Sequence, residues 1–178
     1  MGEAIELVPL VCSQCSTRLP AKPGEYAWVC PNCQQAMTLD EKVGLEKLWL
    51  YYQAGLPEDR LGKPFWVANG RVRIIRRTYS GNKDDEAQDF WSSERVFFVP
   101  AYTSPLEDLL EVSLRLLRNP PALQGGPAVR FEPVTLPRRD VRAVAEFIIM
   151  AVEADRKDKL KEVQLSVDLD DPALWILP

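Results

Sequence analysis

The chain has 178 residues and a mass of 20.2 kDa, with 46% hydrophobic and 27% charged side chains. That length suits one domain, or one domain with a small module, and the apolar content argues against wholesale disorder. Lysine and arginine number 22 against 26 aspartates and glutamates, a net charge of -4 that argues against bulk attraction to nucleic acid or anionic membrane. No apolar run approaches the roughly 18 to 20 residues that span a bilayer. The acidic opening, Met1 to Glu6, lacks the basic segment and apolar core of a secretory signal, so a cytoplasmic protein is the expectation. Histidine is absent, which excludes Ser-His, Cys-His and His-metal chemistry.

All four cysteines lie within the first 33 residues, as Cys12-Ser13-Gln14-Cys15 and Cys30-Pro31-Asn32-Cys33. Each C-x2-C pair can turn two sulfurs toward one ion, and two such turns facing each other across a hairpin supply four thiolates in a tetrahedron. Between them Pro23-Gly24 signals a turn, and Glu25 to Val29 alternates like a short strand. A segment of this size cannot bury enough apolar surface to hold itself together, so a metal must supply the missing stability.

The pattern V-C-S-Q-C-S-T-R-L…W-V-C-P-N-C-Q-Q-A-M resembles a zinc ribbon over residues 7–39. The resemblance implies zinc on Cys12, Cys15, Cys30 and Cys33, with a purely structural role. Ser16 and Gln34 stand where such knuckles often carry glycine, the residue that tolerates positive φ. An iron centre of rubredoxin type, paired disulfides and a thiol-redox pair are the alternatives. With four protein ligands no position is left for water, which speaks against catalysis by the ion.

Beyond the ribbon, Ala36 to Leu39 closes it as a strand, and Gly44 to Ala54 reads as strand on its Trp and Tyr content. Pro64 to Ile75 reads as strand, Asn69-Gly70 turn, strand. Ser80 to Asp89 reads as a polar, acidic loop, and Phe97 to Pro100 as a strand. Ser104-Pro105-Leu106-Glu107 has the form of a helix start with a capping box, opening a leucine-faced helix to about Arg118. Val129 to Leu136 reads as a strand, Pro137 opens a second helix to about Leu160, and Val163 to Leu169 alternates as a strand. Phe98-Val99-Pro100 and Phe131-Glu132-Pro133, each followed by a helix, echo a duplicated strand-helix unit.

The resulting expectation is an α+β protein: a four-cysteine zinc ribbon over 1–40 docked on a 41–178 body of several strands and two helices. Three groups of residues invite functional readings. Trp66, Trp91 and Trp175 would be hot spots for a protein partner if exposed. Arg71, Arg73, Arg76 and Arg77, near aromatics, could follow a phosphate backbone, though a solvated strand face explains them too. Asp168, Asp170 and Asp171 cluster without the spacing of a calcium loop and read as a solvated turn. No catalytic constellation is recognisable, so a non-enzymatic, zinc-binding interaction or accessory subunit of a protein assembly is the leading reading. A nucleic-acid-binding accessory factor and a rubredoxin-like electron carrier are the alternatives.

Overall fold

The computed structural model describes residues 9–81, 83–156 and 158–178. The opening residues of the ribbon reading, Asn82 of the acidic loop and Lys157 of the second helical segment lie outside them. Among the described residues, eight strands form two sheets, accompanied by three α-helices.

The first sheet is the ribbon. Strands β1 (Ala27–Val29), β2 (Ala36–Asp40) and β3 (Gly44–Lys47) pair antiparallel in the order β1-β2-β3. Because side chains alternate across a strand, this sheet has two different faces. Trp28 and Met37 point toward the cysteines, where they pack with Leu19, Cys12 and Cys30. Ala27 and Ala36 point the other way and join Leu48 in the core of the body. The ribbon therefore shares its back face with the larger unit rather than standing free of it.

The second sheet runs β4 (Leu50–Tyr52), β8 (Ala173–Leu177), β5 (Lys63–Ser80), β6 (Arg95–Pro100), with β7 (Lys159–Leu169) also on β5. Within the stretch Gly44 to Ala54, read as strand, Gly44–Lys47 and Leu50–Tyr52 are strands, divided between two sheets. β5 is one continuous strand of 18 residues, and the Asn69-Gly70 hairpin does not form. These two residues mark a change of partners instead. Pairing with β6 ends at Gly70↔Arg95, and pairing with β7 begins at Gly70↔Leu169. Asp170 holds the junction, accepting hydrogen bonds from the Asn69 amide (2.7 Å) and side chain (2.8 Å). A side chain at position 70 would meet Leu169 Cδ2 at 2.6 Å and Phe97 Cε2 at 2.8 Å, so close approach rather than turning requires this glycine.

Helix α1 (Asp84–Trp91) occupies most of the stretch read as an acidic loop. Its only fully buried residues are Ala87 and Trp91, spaced four apart, too few for an apolar stripe to show. Asp84, Asp85 and Glu86 in its first turn suit the positive end of a helix dipole. Helix α2 (Leu106–Arg118) follows β6 and lies along it. Leu110, Leu114 and Leu117 reach one face of the sheet, against Trp66, Phe97 and Val99. Val112 and Leu116 reach the other, against Phe65, Val67 and Phe98. The expected capping box is absent: Pro105 is the N-cap, and Ser104 Oγ is buried without a hydrogen-bond partner.

Residues 130–136 form no strand, although alternation suggested one. They lace the two sheets together through single bridges, Gly62↔Phe131 and Ala27↔Val134, and through Tyr26 N–H to Val134 O (2.8 Å). Leu136 O also accepts the indole N–H of Trp66 (2.8 Å). A short 3-10 turn, Arg138–Asp140, leads into α3 (Val141–Ala154). Of the helically spaced set Val141, Val144, Ala145, Ile148 and Val152 read from the sequence, that helix buries all but Val144, which is half-buried, and it buries Ile149 as well. It stops at Ala154, earlier than expected, and β7 takes over from Lys159. No helix is long and apolar enough to cross a membrane among the described residues.

Candidate metal centre

The four cysteine sulfurs lie within 4.8 Å of one another. Cys12 Sγ is 3.5 Å from Cys33 Sγ, and Cys15 Sγ is 3.5 Å from Cys30 Sγ. A tetrahedral ion with metal-sulfur distances near 2.3 Å requires sulfur-sulfur edges of about 3.8 Å, so the cluster already has the size of such a site. All four thiols are free, and no disulfide links them.

Two matching knuckles build this arrangement. In the first, Ser16 N–H donates to Cys12 O (2.8 Å) and Cys12 N–H to Thr17 O (2.8 Å). In the second, Gln34 N–H donates to Cys30 O (3.0 Å) and Cys30 N–H to Gln35 O (2.9 Å). Such a turn needs positive φ immediately after its second cysteine. Ser16 and Gln34 adopt it, at 58° and 60°, despite carrying side chains. Both positions therefore accept some backbone strain to aim two sulfurs at one point. The Val11↔Arg18 bridge closes the first knuckle, and β1 and β2 flank the second.

The sulfurs do not share one ionisation behaviour. The Thr17 hydroxyl, and after it Asn32, donates a hydrogen bond to the Cys15 thiolate and lowers Cys15 to about 5. The Gln35 amide pulls Cys33 downward, yet burial and the neighbouring thiols outweigh it and raise Cys33 to about 12. Four sulfurs at this spacing cannot all carry charge without a cation among them, because each new thiolate meets those already formed. A divalent ion removes that conflict, and the soft thiolate set fits zinc or iron. Every ligand position is a protein sulfur, so the arrangement suits a structural role.

The three tryptophans proposed for partner binding separate. Trp66 and Trp91 are buried in the core and offer no surface to a partner, a correction to their reading as candidate hot spots. Trp175 is half-buried and stacks on Tyr51, with ring centroids 4.9 Å apart. The missed residue is Trp49, 73% exposed, in the link between β3 and β4. Alternation in Leu48-Trp49-Leu50-Tyr51 carries the signal, since Leu48 faces the core and Trp49 and Tyr51 share the opposite side. Trp49, Tyr51 and Trp175 together make an aromatic shelf on the edge strand β4 and its neighbour β8.

The arginines separate as well. Arg71, Arg73 and Arg77 share the exposed face of β5 with Tyr79, while Arg76 turns inward. Arg71 pairs with Glu94 (3.3 Å) and Arg77 with Glu162 (3.6 Å). The four therefore do not make one basic patch. Arg76 is engaged by Glu153, Asp158 and Asp84, a buried network that periodicity in the sequence does not reveal. The three aspartates also disperse, Asp170 to Asn69 and Asp171 to Arg138, with Asp168 opposite Arg71.

No protein-family model matches the chain, and neither a curated protein nor a solved structure matches it.

Proposed function

We propose that this chain is a non-enzymatic accessory subunit, whose zinc ribbon is a rigid structural element and whose exposed aromatic shelf docks on a protein partner. The observation carrying this reading is the shelf itself. Trp49 stands out in water two residues before Tyr51, which stacks on Trp175, next to the ribbon that carries the four-cysteine cluster. Large aromatic side chains left exposed together, at low conformational-entropy cost, are the groups that anchor protein interfaces. Zinc at Cys12, Cys15, Cys30 and Cys33 would hold the ribbon without an open ligand position, leaving recognition as the module's contribution.

The test is isolation of the tagged full chain from its native cells, with metal analysis of the same sample. One zinc per chain and a stoichiometric partner, lost on Trp49→Ala/Tyr51→Ala substitution while the zinc remains, is the expected result. Equal recovery of partner with that variant, or turnover of a small molecule by the isolated monomer, overturns it. Stoichiometric iron with a reversible redox signal would favour electron transfer instead.

A second reading has one supporting observation. Arg71, Arg73, Arg77 and Tyr79 line a single exposed strand face, an arrangement able to track phosphates and stack a base. Steeply salt-dependent binding to RNA or DNA, weakened by Arg73→Ala, would support it, and absence of binding at low ionic strength removes it.

A further inference from the structure

The longest open edge in the fold belongs to β7, which among the described residues pairs with β5 alone. Its phase follows from one hydrogen bond. Asp170 N–H donates to Asn69 O (2.9 Å), so the directly opposed pair 69/170 is a hydrogen-bonded one. Such pairs alternate along an antiparallel ladder. Counting along this register, Ser166 and Gln164 are bonded to β5, whereas Val163, Leu165 and Val167 turn their N–H and C=O groups outward. Edges of this kind are usually blocked by proline, a bulge or a covering element. Here the outward stretch carries none of these, and the bulge falls at its far end, near Thr78 and Leu160.

Beside that edge lies a groove of about 560 Å³ between α3 and β7, formed by Phe147, Met150, Val163 and Leu165. Phe147 is 62% exposed and Met150 40%, so a helix that buries Val141, Ile148, Ile149 and Val152 leaves two large apolar side chains in water. On β7 the groove is lined by Val163, Gln164 and Leu165, which straddle the midpoint of Lys159–Leu169.

We infer that this edge is a self-association surface, on which two copies of the chain pair β7 with β7 antiparallel about a two-fold axis through Gln164. The coincidence of groove and strand midpoint carries the inference. An axis at that point brings each apolar patch onto its own copy, as an isologous contact requires. In this register Val163 faces Leu165 of the second copy, both with outward backbone groups, and Glu162 faces Ser166. Charge agrees with the antiparallel sense. Lys159 and Lys161 mark one end of β7 and Asp168 the other, so each copy's basic end meets the other's acidic end. Moving the axis to Leu165 would instead set Glu162 against Asp168. The two sheets would join into one, with Phe147 and Met150 of each α3 packed over the seam. No cysteine takes part, so the surface stands independently of the metal reading.

Sedimentation of the zinc-loaded full chain, from micromolar to hundreds of micromolar, tests this. The expected mass is twice 20.2 kDa, falling to the single value for Phe147→Glu/Met150→Glu with an unchanged circular dichroism spectrum. Register is tested separately by Gln164→Cys. Position 164 faces itself in a non-hydrogen-bonded pair, where Cα atoms lie about 4.5 Å apart, within reach of a disulfide. Gln164→Cys is expected to form a covalent dimer on mild oxidation, and Glu162→Cys is not. A wild-type chain that stays monomeric throughout overturns the inference, including one that takes up a synthetic apolar strand peptide instead. So does a dimer that survives both glutamates and fails to link through position 164.

Discussion

Arg76 Nε lies 2.7 Å from Glu153 Oε2, with both side chains withdrawn from water. The same guanidinium reaches Asp158 at 2.9 Å and Asp84 at 3.1 Å, while Glu153 also accepts the indole N–H of Trp91 (2.8 Å) and pairs with Arg156 (3.0 Å). One buried cation on β5 thereby ties α1, the end of α3 and the turn into β7. Removing one member of a buried pair strands the others without a counter-charge, and this costs more than the pair contributes net. Arg76→Met is expected to lower unfolding free energy by about 3–5 kcal/mol. Arg77→Met, one residue on and exposed, is expected to change it by less than about 1 kcal/mol. Urea unfolding followed by tryptophan fluorescence distinguishes the two, and equal losses would refute the buried network.

Gly70 separates tight packing from turn formation. Gly70→Ala is expected to cost about 1–3 kcal/mol by forcing Leu169 and Phe97 aside. At Gly125 an added methyl meets nothing within 4 Å, so Gly125→Ala is expected to stay within about 0.5 kcal/mol of wild type. Thermal unfolding of both variants is the measurement. A neutral Gly70→Ala would mean the sheet yields more readily than its contacts imply.

Ser16 tests the knuckle geometry. Positive φ costs a residue with a side chain about 1–2 kcal/mol, and a β-branched residue most of all. Ser16→Gly is therefore expected to hold metal at least as tightly as wild type, and Ser16→Val to lose about 1–2 kcal/mol of site stability. Competition with a chromogenic chelator at neutral pH reads the order directly. The reverse order would show that this turn does not form.

Asp40 gives the ribbon a pH dependence. Its carboxylate accepts the Lys42 amide (2.8 Å) and the Val43 amide (3.0 Å), which hold it below the usual carboxylate range. A group with a depressed folded-state value stabilises above its unfolded value, near 3.9, and loses that contribution as pH falls through the folded one. Asp40→Asn is accordingly expected to be less stable than wild type at neutral pH, with the difference closing below about pH 4. Parallel acid titrations of the two proteins cancel the metal release they share. A constant difference across the range would contradict the assignment.

The four-cysteine cluster, β2, β6 and the inward face of α3 were legible because each rests on local spacing: paired thiols two residues apart, alternation, or a 3.6-residue period. The Asn69-Gly70 pair misled for a physical reason. A glycine that permits a turn and a glycine that permits close contact look the same in one dimension, and only the arrival of Leu169 and Phe97 from distant segments distinguishes them. Helix α1 was hidden because two fully buried residues suffice when a sheet already waits to receive them. Trp66 and Trp91 were misplaced because burial depends on what packs above a residue, not on the residue itself.

Alone, then, the order of amino acids determined the ligand set, because C-x2-C turns are short-range objects whose geometry follows from their own backbone. It also determined that these 178 residues offer no imidazole as ligand or base. Tertiary structure decided which aromatics meet water, which arginine is buried, and which strand keeps an open edge. Those outcomes depend on neighbours far along the chain, 82 residues away for Arg76 and Asp158 and 101 for Asn69 and Asp170. Contacts at such separation come from packing sheets and helices against one another, and no local pattern encodes them.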